Sequence, residues 1–150
     1  MARIGAVANQ DLAPETQLAA LIRINTRDML ESFGLGNVRG VRRLLEWGCY
    51  FPAHRFAATM LAFDRRVAVY GLRTAAQWGV SQFAAEVAVV GGENIPLRGP
   101  ALFLSNHPGI TDTLALFAAL PRQDLHVIAA MRPFLQLLNN VTKRMIYVDQ

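Results

Sequence analysis

Apolar positions recur at three- and four-residue spacing through the first half of the chain and in short, turn-punctuated runs through the second. In PETQLAALIRINTRDMLESFG, residues 14–34, Leu18, Leu21, Ile22, Met29 and Leu30 fall on one helical face, and Gly34 stands where such a helix would stop. NVRGVRRLLEWG, residues 37–48, repeats the signal on a shorter scale and puts Arg39, Arg42 and Arg43 on one face. The longest helical candidate, HRFAATMLAFDRRVAVYGLRTAAQWGVSQFAAE, is apolar nearly throughout and interrupted by Arg55, Asp64, Arg65, Arg66 and Arg73.

From Val87 onward the texture changes to short apolar runs separated by Gly, Pro, Asn and Asp, the sign of alternating strands and helices. The pattern predicts strands over 87–90, 101–105, 125–130 and 145–148, with helices over 112–120 and 133–142. GGENIPLRG, residues 91–99, has the residues of a tight surface connection. No repeat, low-complexity tract or linker interrupts the chain. The expected fold is α/β: a helical N-terminal region, residues 1–85, followed by a partial mixed or parallel sheet with flanking helices, residues 86–150.

Composition changes this picture in two respects. A hydrophobic fraction of 53% with only 17% charged residues raises the question of a membrane span. The longest stretch free of charged residues, 99–111, holds His107 and Pro108 and is shorter than the roughly 20 apolar residues a spanning helix needs. The opening MARIGAVANQDLAPE has a single Arg and too short an apolar run for a secretory signal, so a cytoplasmic location is expected. The single cysteine, Cys49, agrees with a reducing compartment. The formal charge of +4, carried by arginines and Lys143, favours anionic partners such as phosphorylated metabolites or acidic headgroups.

The chemistry concentrates in SNHPGITD, residues 105–112. His107 falls between a predicted strand and a predicted helix, at the edge where ligand sites of open α/β sheets collect. A histidine near its ordinary pKa takes a proton from an alcohol at neutral pH, and a carboxylate on its other ring nitrogen fixes the tautomer. The spacing from His107 to Asp112 joins the two across a turn, though not along a continuous helix, where neighbours lie three or four apart. The plainer account is a loop of ordinary turn formers whose Asp112 favours the helix dipole.

The segment GGENIPLRGPALFLSNHPGITDTLALFAAL, with VV before it, resembles the glycerolipid acyltransferase family of 1-acylglycerol-3-phosphate acyltransferase type, whose members carry Asn-His, four residues and Asp after a short strand. The resemblance covers roughly residues 87–150 and implies transfer of a fatty acyl group from acyl-CoA or acyl carrier protein to a hydroxyl of a glycerolipid. It implies that His107 is the general base and Asp112 its orienting partner, with the thioester as co-substrate and no bound cofactor. RMIYVDQ, residues 144–150, keeps the family's second strand and Asp149 but has Arg144 near a glycine position and Gln150 where an arginine binds phosphate. Arg98, Arg132 and Arg144 are the remaining candidates for an anionic substrate. The family's later motifs, Pro-Glu-Gly-Thr-Arg among them, would lie beyond residue 150, so the chain is expected to be the N-terminal part of a longer enzyme.

Other constellations are weaker. Ser105 lacks a Gly-x-Ser-x-Gly elbow. Cys49, within WGCYFPAH, reads as an inert core cysteine rather than a partner of His54. His54, His107 and His126 lie too far apart in sequence for a structural metal, and no nucleic-acid signature accompanies the arginines. The arginine-bearing helices 37–46 and 55–79 are either solvated faces of a bundle or an interfacial surface on the cytoplasmic side of a membrane. An inactive fragment that binds a membrane surface is the competing expectation to an active acyltransferase.

Overall fold

The computed structural model describes residues 12–35, 42–106 and 109–148. The first helix, α1 (Pro14–Ser32), starts with proline at a position where no backbone donor is needed. It ends as its sequence predicts: Gly34 adopts φ 71°, Leu35 N–H bonds Leu30 O at 2.8 Å and Gly34 N–H bonds Glu31 O at 3.0 Å. That is a glycine-terminated Schellman closure, which satisfies carbonyls the helix leaves open.

The second helix, α2 (Arg42–Ser81), joins what the sequence suggested were two helices. Pro52 forgoes one intrahelical bond. The helix nonetheless continues, because Ala53, Ala57, Met60 and Leu61 beyond it are buried. Its break comes later, at Gly71, with φ 80° and ψ 168°. Only glycine occupies that region readily, and a Cβ there would meet Gln123 Oε1 at 2.9 Å. Gly48, by contrast, has helical surroundings and open space around a Cβ. Gly71→Ala is therefore expected to destabilise the fold by about 1–3 kcal/mol, and Gly48→Ala to stabilise it by about 0.5–1 kcal/mol. Urea titrations of both variants check the pair; equal shifts would remove the backbone argument.

After α2 come a 3-10 turn (Gly92–Asn94) within the expected surface connection, helix α3 (Ile110–Ala119), strand β1 (Val127–Ala130), the short helix α4 (Pro133–Gln136), a second 3-10 turn (Thr142–Arg144) and strand β2 (Met145–Val148). β1 and β2 pair in parallel, with Val127 opposite Met145 and Ala130 opposite Val148. The crossover through α4 supplies the length that a parallel connection needs. Val127 and Met145 pack against the core, whereas Ile128, Ile146 and Val148 on the opposite face are exposed.

Helix accounts for most of the described chain, with one small parallel sheet. The strands expected over 87–90 and 101–105 are not formed. No neighbouring strand meets them among the described residues, and Val90 and Leu104 are 96% and 86% exposed. Apolar, β-branched composition marks a strand only where a partner accepts its backbone hydrogen bonds. The helix expected over 133–142 shortens to α4, its remainder turning through Leu138, Asn140 and the second 3-10 turn.

The core is continuous across both halves of the sequence. Leu21 of α1 and Met60, Leu72 and Ala76 of α2 share it with Leu114 and Phe117 of α3 and with Leu137, Leu138 and Val141 near α4. Burial of such side chains contributes about 1.5–3 kcal/mol each. Three polar residues are buried: Asp64, Asn25 and Arg122. Asp64 of α2 accepts bonds from Asn140 N–H (2.8 Å), Asn140 Nδ2 (2.9 Å) and Val141 N–H (2.8 Å), tying the helix to the turn that leads into β2. Asn25 of α1 is 6% exposed, and its Nδ2 has no partner. A buried unsatisfied donor costs about 1–3 kcal/mol.

A second tie holds the 91–99 connection. Arg122, buried, donates from Nε to Asp124 Oδ1 (2.8 Å), from Nη2 to Asp124 Oδ2 (2.6 Å) and from Nη1 to Pro96 O (3.1 Å). Hydrogen bonding from Arg122 holds the Asp124 carboxyl below its ordinary value. The ionised carboxylate therefore favours the folded chain: its contribution is present above the usual carboxylate range and disappears as pH falls through the lowered value. Asp124→Asn is expected to lower the thermal midpoint at pH 7, the gap to the parent narrowing as pH falls below the ordinary Asp value near 3.9 and closing only once the lowered value is passed. A gap that persists unchanged in acid would show that the tie is not electrostatic.

Candidate active site

Of the candidate residues, Asp112 stands at the start of α3. Gly109 caps the helix in an extended conformation, φ −164° and ψ 176°, and Asp112 occupies the first turn. A carboxylate there is favoured by the positive end of the helix dipole. Asp112 is exposed, and its Oδ2 lies 3.5 Å from where a Cβ on Gly109 would stand. The carboxylate thus folds back over the turn instead of projecting along the helix. A Cβ at residue 109 would meet it in ordinary van der Waals contact. Asn106 and Ser105, on the approach to the turn, are exposed. His107 lies outside the described residues, as do Asp149 and Gln150.

The approach to this turn differs from the expectation. Because 101–106 form no strand, the turn is not at a strand's carboxyl end, and the parallel pair β1–β2 is built from later residues. What remains of the expected arrangement is the helix start and an accessible carboxylate directed back toward the preceding turn.

The three arginines are dispersed. Arg98 is exposed in the loop after the first 3-10 turn. Arg132 is exposed at the N-cap of α4. Arg144 donates from Nη1 to Gln123 O at 3.1 Å, which commits part of its fork to the chain itself. Among the described residues, no hydrogen bond or ion pair joins these arginines to Asp112 or to one another. Nor do three His, Cys or carboxylate side chains converge on a metal position among those residues.

Arg39, expected to share a face with Arg42 and Arg43, lies outside the described residues, and the other arginines of α2 have different surroundings. Arg66 stacks on Trp78, 4.4 Å from the ring centre, and Arg73 Nε donates to Ala118 O at 3.4 Å. Arg43, Arg55 and Arg65 are exposed. Cys49 is not in the core: it is half-buried on a stretch of α2 whose Trp47 is 78% exposed, with Leu44, Tyr50 and Phe51 also exposed. An apolar local sequence reads as core only when another element covers it, and nothing covers this one among the described residues. Leu44, Trp47 and Phe51 follow i, i+3, i+7 spacing, so the outward face was present in the sequence.

No described helix is long and apolar enough to cross a membrane. Comparison of the chain with protein-family models, with curated proteins and with solved structures finds no match in any of the three.

Proposed function

We propose that the chain carries the acyl-transfer centre of a glycerolipid acyltransferase, with His107 as general base toward an acceptor hydroxyl and Asp112 as the residue that orients it. The supporting observation is the Asp112 carboxylate at the first turn of α3, exposed and folded over Gly109, five residues after the histidine in Asn-His-x4-Asp spacing. In this reading the hydroxyl loses its proton to His107 as its oxygen attacks the thioester carbonyl of acyl-CoA or acyl carrier protein. The protonated imidazole then returns the proton to the departing thiolate. The α3 amide ends favour negative charge beside that turn.

Peripheral membrane contact belongs to the same proposal. Leu44, Trp47, Tyr50 and Phe51 offer aromatic and aliphatic side chains to an interface, with Arg43 and Arg55 nearby for anionic headgroups. This face also supports the second reading, a chain that binds a membrane surface without turnover. Both are tested together by supplying the chain with labelled acyl-CoA or acyl carrier protein and a panel of lysophospholipid acceptors on anionic vesicles. Product formation that depends on His107 supports transfer; vesicle binding with no product supports the second reading.

A further inference from the structure

The outward face at the start of α2 carries one titratable ring. Arg43, Trp47, Tyr50 and His54 follow one another at i, i+4, i+7 and i+11, a single stripe of the helix, with Leu44 and Phe51 along its flank. Trp47, Tyr50 and Phe51 are exposed, and His54 is half-buried beside them, its ring centre 6.0 Å from that of Tyr50 with the planes tilted by 37°. Arg43, Arg55 and Arg65, exposed on the same helix, make no ion pair among the described residues. Acidic groups stand away from the stripe. The charged side chains that α1 and α4 bring to this part of α2, Arg27, Asp28, Glu31 and Arg132, line a cleft with Pro52 and Phe56. Those two lie two residues to either side of His54, hence on the opposite side of a 3.6-residue turn. The other packed helix, α3, meets the far end of α2, with Leu114 beside Gly79. On α2 itself Glu46 stands about two turns before His54 and is already engaged.

We infer that this stripe docks on an anionic lipid surface and that protonation of His54 tightens the docking, so that attachment of the chain is governed by pH. The inference rests on the peripheral membrane contact proposed above and adds its regulation. An anionic surface is the partner the stripe fits: Trp and Tyr settle at the headgroup level, aliphatic and Phe side chains reach below it, and unpaired arginines meet negative headgroups. Histidine is the side chain that ordinarily changes charge between pH 5 and 8. A positive charge gained at His54 joins those of Arg43 and Arg55 and strengthens attraction to a negative surface about as much as one further Lys or Arg would.

The test is co-sedimentation of the full chain with mixed phosphatidylglycerol and phosphatidylcholine vesicles at pH 7.5 and pH 5.5, a range over which the charge of these lipids is constant. Expected is binding about fivefold tighter at the lower pH, with the gap closing at high salt, where surface charge is screened. His54→Gln is expected to bind at pH 7.5 as the parent does and to lose the gain in acid. His54→Arg carries the charge permanently and is expected to bind tightly at both. Trp47→Ser weakens binding at both pH values and leaves their ratio unchanged, which separates insertion from the titrating charge. Equal binding at the two pH values, a gain in acid that survives His54→Gln, or the same gain on vesicles of phosphatidylcholine alone would overturn the inference while leaving the membrane contact in place. No vesicle binding at either pH would overturn both.

Discussion

Exchange of His107 for alanine is expected to lower acyl transfer by about 10²–10⁴-fold, the range a general base supplies, with the thermal midpoint unchanged. Asp112→Ala should lower it less, because in the proposed mechanism the carboxylate acts through the imidazole and not on the hydroxyl. The distinguishing readout is the pH profile. If Asp112 orients the imidazole as proposed, its removal takes away an anion that favours the protonated base, and the acidic limb of kcat/KM moves to lower pH. Asp112→Glu retains the charge and is expected to recover part of the rate while keeping the limb near its original position. A residual rate in His107→Ala equal to the parent would remove the histidine from the chemistry. An unmoved acidic limb in Asp112→Ala would leave the aspartate as a helix-start residue, since a carboxylate that only favours the dipole affects stability alone.

The largest expected change in stability comes from Asp64→Ala. The substitution removes the acceptor for Asn140 N–H, Asn140 Nδ2 and Val141 N–H together. Val141 is 3% exposed, so water does not freely replace what is lost. Hydrogen bonds to charged groups are worth about 1.5–3 kcal/mol each and are not additive, so a total near 3 kcal/mol or more is expected. That is a large share of the roughly 5–15 kcal/mol that holds an ordinary domain together. Asp64→Asn keeps one acceptor oxygen but turns an amide donor toward another donor, and should fall between alanine and the parent. Urea unfolding followed by circular dichroism measures both. A shift below about 0.5 kcal/mol, the level of ordinary surface substitutions, would show that the three bonds contribute little net stability.

The legible parts of the fold were those that a local pattern determines. Gly34 closes α1 because a left-handed residue is required there, and the apolar spacing of Leu18, Leu21 and Leu30 suffices to define the helix. β1 and β2 were legible because they find each other: Val127 opposite Met145 gives both runs a partner. Residues 87–90 and 101–105 have equally strand-like composition and no such partner, and pairing over distance is not written in a six-residue window. Asp64 was visible only as an interruption in an apolar run. Its role depends on the backbone of Asn140 and Val141, which no local pattern links to it. At the site, the spacing of His107 and Asp112 named the candidates, while the direction of the carboxylate over Gly109 required coordinates.

The Asp64 tie also sets an order of events during synthesis. Its partners follow it by 76 and 77 residues, so at about 5–20 residues per second the carboxylate waits roughly 4–15 s on the ribosome before they are made. During that interval α1 and α2 can meet through their apolar faces, but Asp64 faces solvent as an unpaired anion. The finished core is therefore sealed late, by the segment from Leu138 to Val141, and a nascent chain halted before that segment leaves its long helix accessible to chaperones and proteases.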